Sequence, residues 1–161
     1  MRKGLRIGVG YDAHRLVPDR PLVLGGVAIS NDRGLAGQSD GDVAIHAILD
    51  ALLGAAALGD IGSYFPSDDP RYLGANSLSL LTIVRNALAA SGWRVGNLDA
   101  TIVAESPTLA PYIHRMRQAV GASLNMEPER VSIKATTTDG LGFTGNGEGI
   151  AAYAVATIEP I

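Results

Sequence analysis

Hydrophobic and polar positions alternate in several short stretches of the chain, a spacing typical of β-strands with one buried face. The alternation predicts strands over residues 5–10, 21–29, 98–105, 131–137 and 150–158. The first predicted strand stops at residues 11–14. The second carries Gly25 and Gly26 in its middle, which indicates a bend or a bulge.

Helical spacing and capping residues predict three helices between these strands. The first is a long apolar helix that opens at Ser39, its expected N-cap, and ends near Gly59. The second begins at Asn76 or Ser77, and the third begins at Pro111, because proline suits a first helical position. The three helices are therefore spread along the whole chain rather than grouped at one end.

The order of these elements predicts an α/β protein in the broad sense, an α+β sandwich in which helices cover one face of a mixed sheet. With 161 residues the chain is long enough to bury its own core, and we expect a single domain over residues 1–161. Hydrophobic residues make up 47% and charged residues 18% of the chain, which excludes a disordered protein and a coiled coil.

Charge and cysteine content exclude further classes of protein. The chain has 13 basic and 16 acidic residues, a net charge of −3, so we expect no nucleic-acid partner. It has no cysteine, which excludes disulfides and thiolate metal sites. No apolar run is long enough to span a bilayer and the first residues do not resemble a signal peptide. We therefore expect a cytoplasmic protein without a membrane partner.

Two of the chain's three histidines lie in unusual surroundings. His46 shares one face of the long apolar helix with Asp42 and Asp50, at spacings of four residues. Asp12 and His14 are two residues apart in an extended segment, so they point to the same side. Together with His46 they would supply the three protein ligands of a zinc site with an open fourth position. The alternative, a hydrogen-bonded core histidine, remains open from these residues alone.

Glycine is abundant, with 20 residues, and marks two segments. The spacing of Gly8, Gly10 and Ala13 imitates a dinucleotide-binding fingerprint, but Pro18 and Pro21 interrupt the chain where that motif needs a helix, so we reject it. The second segment, residues 139–149, has free backbone N–H groups and follows three threonines, a pattern that suits phosphate oxygens. A glycine-rich hairpin between two strands is the alternative.

The acidic residues near the candidate loops indicate metal ions. Lysine occurs only at Lys3 and Lys134, whereas aspartates crowd these loops at Asp12, Asp60, Asp68, Asp69 and Asp139. A phosphorylated ligand would be repelled by such a region unless cations neutralised it. A phosphate site here therefore implies at least one metal ion.

Several longer motifs closely resemble the 2-C-methyl-D-erythritol 2,4-cyclodiphosphate synthase family, and the resemblance covers about residues 5–158. The motifs that carry it are residues 10–14 (GYDAH), 39–43 (SDGDV), 50–62 (DALLGAAALGDIG), 65–70 (FPSDDP), 134–138 (KATTT) and 141–149 (LGFTGNGEG). The resemblance implies a homotrimer with active sites between neighbouring subunits. It implies a phosphorus–oxygen lyase of the non-mevalonate isoprenoid pathway. The cytidine diphosphate substrate, 4-diphosphocytidyl-2-C-methyl-D-erythritol 2-phosphate, would be converted to the cyclic diphosphate and CMP.

The resemblance also assigns roles to individual residues. It makes Asp12, His14 and His46 the zinc ligands, and Asp139 the ligand of a second divalent cation, Mg²⁺ or Mn²⁺. Thr137 and Gln38 become catalytic residues at the reacting phosphates. The residues expected to bind substrate are Asp12, Ala13, His14, Gln38, Ser39, Asp60, Ile61, Gly62, Phe65, Pro66, Ser67, Asp68, Asp69, Ala104, Glu105, Ser106, Pro107, Thr108, Leu109, Ala110, Thr136, Thr137, Thr138, Asp139, Phe143 and Asn146.

Four positions depart from the family pattern. Gln38 replaces a histidine at the reacting phosphates, and Asp139 replaces a glutamate that is longer by one methylene. Thr108 replaces a lysine of the cytidine loop. Asn146 replaces an arginine that lines a cavity on the trimer axis, so we expect an isoprenoid diphosphate to bind there less readily.

Three hypotheses follow from the sequence. The leading one is the cyclising synthase, in which we expect Asp50 to hold His46 in place from one turn away. A zinc-dependent nucleotide or phosphodiester hydrolase is a second, because an open zinc position can activate water. A non-catalytic trimeric nucleotide-binding module, suggested by Gln38 and Asn146, is a third.

Overall fold

The computed structural model describes residues 4–161, which form seven strands, five helices and three short 3₁₀ turns. The strands are β1 Arg6–Pro18, β2 Leu22–Leu24, β3 Val27–Ile29, β4 Arg33–Leu35, β5 Trp93–Val103, β6 Val131–Thr136 and β7 Gly149–Pro160. The helices are α1 Val43–Ala56, α2 Ile61–Tyr64, α3 Ser77–Ala90, α4 Ile113–Leu124 and α5 Gly142–Gly145. The 3₁₀ turns span Pro70–Tyr72, Ala110–Tyr112 and Pro128–Arg130.

A five-stranded mixed sheet, in the order β4-β1-β7-β5-β6, is the centre of the fold. Its β5–β6 pair is parallel, whereas β1 runs antiparallel to both of its neighbours. Helix α1 packs on β1 and β7, α3 packs on α1 and β5, and α4 packs on β6. The structure thus confirms the α+β sandwich with a mixed sheet.

Strand β1 is longer than the sequence pattern predicts. It does not stop at residues 11–14, but pairs with β7 from Arg6 to Arg15 and then with β4 from Leu16 to Pro18. The expectation that residues 12–14 lie at a strand end is therefore wrong. The predicted strand over residues 21–29 is in fact the hairpin β2–β3, whose turn consists of Gly25 and Gly26, both at positive φ.

Two glycines of β1 allow α1 to lie directly on the strand. A Cβ atom at Gly10 would lie 1.9 Å from the carbonyl oxygen of Ala47, and one at Gly8 would lie 1.9 Å from that of Ala51. Backbone therefore meets backbone at this contact, and no larger residue fits. The close neighbour of the backbone at these two positions is therefore a helix, not a bound dinucleotide.

The caps of α1 differ from those the sequence predicts. Asp42, not Ser39, is the N-cap, and its carboxylate is fully buried. Asp42 Oδ1 accepts hydrogen bonds from the N–H groups of Gly25 (2.9 Å) and Ile45 (3.1 Å), and Oδ2 accepts one from Gly26 (2.7 Å). Burial raises the pKa of this carboxyl to about 6, and the three N–H donors oppose that rise. The helix ends at Ala57, in the left-handed conformation, rather than at Gly59.

The remaining predicted elements are close to those observed, with two exceptions: β5 begins at Trp93 rather than at residue 98, and the segment 139–149 differs from its alternative reading. Helix α3 begins after the cap Asn76, as predicted, and the third helix follows a 3₁₀ turn that contains Pro111. The glycine-rich segment 139–149 is not a hairpin, because β5 lies between β6 and β7 in the sheet. Within residues 4–161, no helix is both long and apolar enough to cross a membrane.

Candidate active site and metal centre

Three ligating atoms converge where α1 crosses β1. Asp12 and His14 project from the helix-facing side of β1, and His46 projects from the first turn of α1. Asp12 Oδ2 lies 2.9 Å from His14 Nε2 and 3.0 Å from His46 Nδ1. The two ring nitrogens are 3.1 Å apart. The structure thus brings together the three residues that the sequence proposed as a cluster.

The donor chemistry of this trio fits a bound cation. A carboxylate oxygen can only accept, and each facing ring nitrogen carries at most one proton. At most two of the three short contacts can therefore be hydrogen bonds. In at least one contact, two atoms face each other with no proton between them. A single cation between the atoms would contact all three. Two imidazoles and one carboxylate, without a thiolate, form a donor set that suits zinc.

The charge state of Asp12 supports the same conclusion. Burial by itself raises the pKa of the Asp12 carboxyl. The neighbouring imidazoles of His14 and His46 outweigh that effect and hold the pKa well below its usual range. Asp12 is therefore an anionic ligand at any pH near neutrality.

The other side of His46 is fixed by two serines. His46 Nε2 lies 3.1 Å from Ser39 Oγ and 3.2 Å from Ser77 Oγ. Ser77 is fully buried at the first position of α3, and its hydroxyl donates to Asp40 Oδ1 at 2.5 Å. Neither Ser77 nor Asp40 stood out in the sequence as a site residue, because no short-range spacing relates α3 to His46.

Asp50 does not hold His46, so that expectation is wrong. Its Oδ1 accepts a hydrogen bond from the N–H of Ile61 at 2.8 Å. Both ring nitrogens of His46 are occupied by the partners described above. Asp50 instead ties α1 to the start of α2, and so positions the segment that follows.

A cavity of about 610 Å³ adjoins His46. Its lining combines residues of three separate segments, Gln38, Ser39, His46, Ile61, Gly62, Phe65, Pro66, Ser67, Asp68, Tyr72 and Leu80. The resemblance implies that residues 60–62 and 65–69 would hold the erythritol portion of the substrate, and most of them line this cavity. Asp60 and Asp69 do not: Asp60 caps α2 and binds Ser63, and Asp69 caps the 3₁₀ turn and pairs with Arg71. Tyr72 and Leu80 are additions that no sequence signal indicated.

A second cavity, of about 310 Å³, lies at residues 104–110 and 136–139, the segments that the resemblance implies would bind cytidine and phosphate. It is lined by Ala104, Glu105, Pro107, Thr108, Leu109, Ala110, Ala135, Thr136 and Thr137. Ser106 precedes Pro107 through a cis peptide bond. Thr138 and Asp139 do not line this cavity; the Thr138 hydroxyl donates to the carbonyl of Leu141 at 2.6 Å, and Asp139 bonds to Thr137.

The two cavities lie apart in one chain. Asp12 is in register with Ala152, Ile102 and Ala135 on successive strands. Three strand spacings separate β1 from β6, or about 14 Å. Asp139 is likewise not part of the Asp12, His14 and His46 cluster among the described residues. Two of the remaining predicted residues, Ala13 and Phe143, line a cleft of about 270 Å³ together with His14. Asn146 does not line this cleft.

Comparison with curated proteins finds close relatives along nearly the whole chain. A protein of Symbiobacterium thermophilum named 2-C-methyl-D-erythritol 2,4-cyclodiphosphate synthase is 62% identical over 152 residues, 94% of this chain and 97% of its own length. A protein of the same name from Moorella thermoacetica is 60% identical over 154 residues, 96% of this chain and 94% of its own.

Solved structures agree with the fold. A bifunctional IspDF from Campylobacter jejuni gives a TM-score of 0.94 at 38% identity; the match covers 98% of this chain and 42% of that one. A CDP complex of IspF from Plasmodium falciparum gives 0.85 at 31% identity, over 98% of this chain and 97% of its own. The model of the YgbB family matches residues 5–159. With this match and identities of about 60% over nearly full length, the chain belongs to the YgbB family.

Proposed function

We propose that this chain is a 2-C-methyl-D-erythritol 2,4-cyclodiphosphate synthase, a lyase of non-mevalonate isoprenoid biosynthesis. Relatives with that name match it at 62% and 60% identity along almost their entire length. The observation that carries the proposal is the convergence of Asp12, His14 and His46 beside the 610 Å³ cavity. A phosphorylated substrate in that cavity would meet a cation held by the chain.

The metal ions have separate places in this proposal. Asp12, His14 and His46 would hold zinc, and Asp139 would bind a second divalent cation, Mg²⁺ or Mn²⁺. Bound there, such cations neutralise and polarise the phosphate oxygens. Lysine contributes little positive charge to the site, since the chain has only two lysines, Lys3 and Lys134. Lys134 is already paired with Asp99.

The reaction forms one phosphorus–oxygen bond and breaks another. An oxygen of the 2-phosphate attacks the β-phosphorus, the bond from that phosphorus to the bridging oxygen breaks, and CMP leaves with the bridging oxygen. The chain's task is mainly to align these groups. The side-chain amide of Gln38, at the cavity mouth, can donate a hydrogen bond to a phosphate oxygen but adds no charge. The hydroxyl of Thr137 can donate similarly from the second cavity.

We propose that a homotrimer completes each site. Thr137 and the cytidine pocket lie three strands from the metal cluster of their own chain, so a neighbouring subunit is the natural source of the second half. The sheet offers a surface for that assembly. Its outer face, away from the helices, exposes Ile7, Val9, Tyr11, Tyr153 and Val155. Such a contiguous apolar patch is typical of a protein interface.

A charge on this outer face is expected to dissociate the trimer. Val9 is 70% exposed in the isolated chain and pairs with Val155 across β1 and β7. A Val9→Asp substitution would bury an unpaired carboxylate in the assembly, at a cost of several kcal/mol for each subunit. We expect monomers by light scattering after size-exclusion chromatography, with native circular dichroism and lost turnover.

The matched control is Ile83→Asp. Ile83 is also an exposed apolar residue, at 44%, but it lies on α3 in the helix layer. This variant should remain a trimer with full activity. A Val9→Asp protein that stays trimeric would show that the outer face is not the interface.

The proposed activity is tested by incubating the purified protein with 4-diphosphocytidyl-2-C-methyl-D-erythritol 2-phosphate, Zn²⁺ and Mg²⁺. We expect phosphorus NMR to show the cyclic diphosphate and CMP in equal amounts. Linear phosphates would instead identify the hydrolase, and CDP binding without turnover would identify the binding module. The cytoplasmic location expected from the sequence stays a prediction.

A further inference from the structure

The side of His46 that faces away from the metal cluster carries a buried hydrogen-bond chain of its own. His46 Nε2 contacts Ser77 Oγ at 3.2 Å, and Ser77 Oγ donates to Asp40 Oδ1 at 2.5 Å. Asp40 Oδ2 also accepts from the backbone N–H of Ser77 at 2.9 Å. Both oxygens of the Asp40 carboxylate therefore accept hydrogen bonds from Ser77.

This arrangement favours one position for the ring proton of His46. A serine hydroxyl has one proton, and the short bond to Asp40 uses it. Ser77 Oγ can then only accept from His46, so this contact is a hydrogen bond only when Nε2 carries the ring proton, whereas the Ser39 hydroxyl can accept from or donate to Nε2. In a neutral ring that is protonated on Nε2, the Nδ1 atom has a free lone pair, which points at Asp12 and His14. Ser77 is fully buried, so the Asp40 bond is shielded from competing water.

Asp12 favours the opposite tautomer. Its carboxylate oxygen lies 3.0 Å from His46 Nδ1 and would accept a hydrogen bond if the proton were on that nitrogen. A ring with its proton on Nδ1 cannot ligate a metal through Nδ1. A second carboxylate, acting through Ser77, is therefore needed to oppose Asp12 before a metal binds.

We propose that Asp40 and Ser77 are positioning residues that hold the proton of His46 on Nε2 and so keep Nδ1 free to bind the metal. The proposal rests on the proposed function in one respect, because it takes the Asp12, His14 and His46 cluster as a metal centre. The position of the His46 proton, in contrast, is a property of the metal-free chain. Ser39, which also contacts Nε2, accepts from the N–H of Gly41 at 3.3 Å and is not anchored by a carboxylate.

The first test reads the tautomer directly in protein freed of metal by a chelator. With three histidines in the chain, the ring nitrogens can be assigned by ¹⁵N NMR, and the exposed His114 serves as an internal reference. We expect His46 to be protonated on Nε2 in the unsubstituted protein. Ser77→Ala should shift a large part of the population to Nδ1. A protein whose His46 carries its proton on Nδ1 from the start would overturn the proposal.

The second test measures zinc affinity by competition with a fluorescent chelator. Loss of a partner that orients a metal ligand weakens binding by about 10–100-fold. We expect a loss on that scale for Ser77→Ala and for Asp40→Asn, in which one accepting oxygen becomes a donor and no longer holds the Ser77 proton away from His46. Two such variants guard against one of them failing to fold.

The matched control is Asn76→Ala. It removes the cap hydrogen bond that the N–H of Leu78 donates to Asn76 Oδ1 at the same end of α3, and this bond does not involve His46. Its zinc affinity should stay within about twofold of the unsubstituted protein. If Ser77→Ala behaves like this control in both measurements, the proposal is wrong. If the tautomer shifts as expected but no form of the protein binds zinc, the metal centre of the proposed function fails and the role of Asp40 and Ser77 stands.

Discussion

Replacing His46 with alanine is expected to abolish zinc binding and to lower kcat/KM by roughly 10³-fold, the scale on which a lost charge-stabilising group acts. His46 is the one member of the trio supplied by α1; Asp12 and His14 share β1. Without it the cluster retains one nitrogen and one carboxylate, too few for a site that needs three protein ligands. The substrate phosphates would then face Asp12 without compensation, and binding would weaken as well.

The measurements for this variant are bound zinc, by atomic emission, and turnover, by release of CMP. His114→Ala is the control, because His114 is exposed on α4 and should leave both quantities unchanged. His46→Gln adds a second comparison that keeps most of the volume while removing the imidazole. Full activity in either His46 variant would remove the case for a metal centre at this point of the fold.

Replacing Gly10 with alanine is expected to destabilise the protein by about 3 kcal/mol or more, because overpacking is most costly where backbone cannot move. The added methyl group would lie 1.9 Å from the carbonyl oxygen of Ala47 and 2.9 Å from the backbone nitrogen of Ala51. Neither atom belongs to a side chain that could rotate away, so α1 must shift relative to β1. Such a shift also separates His46 from its partners on the strand.

Urea unfolding followed by circular dichroism measures this effect, and zinc affinity in the folded fraction should fall with it. Gly54→Ala is the control, since Gly54 is exposed on α1 with no atom within 4 Å of an added Cβ. Alanine is the better helix former, so this variant should gain about 0.5–1 kcal/mol. A Gly10→Ala protein as stable as the unsubstituted one would mean that strand and helix do not touch through their backbones.

The sequence predicted well those features that depend on neighbours along the chain. Spacing of two residues placed Asp12 and His14 on one side of a strand, and the nearly continuous apolar run around His46 predicted a buried helix. Both are observed. Local spacing gave a wrong prediction where a side chain binds a residue outside its own helix. Asp50 seemed placed to hold His46, but binds the backbone of Ile61 instead.

Residues missed in the sequence share one property: their partners are remote in the chain. Ser77 lies 31 residues from His46 and 37 from Asp40, yet contacts both. Asp42 stood out only for its place on the His46 face of the helix, but it also holds the Gly25–Gly26 turn of the β2–β3 hairpin. Tyr72 and Leu80 reach the cavity for the same reason. The spacing of hydrophobic and polar residues along a chain does not predict contacts between residues so far apart.

By itself, the sequence predicted the fold class, the grouping of Asp12, His14 and His46, and the family, because strand alternation, helical spacing and contiguous motifs can be read from the chain alone. The tertiary structure decided how far β1 extends and which side chains hold His46. It also separated the 310 Å³ cavity that Thr137 lines from the Asp12, His14 and His46 cluster. These outcomes depend on strand order and on the backbone contact at Gly8 and Gly10, which arise only when elements distant in sequence pack together.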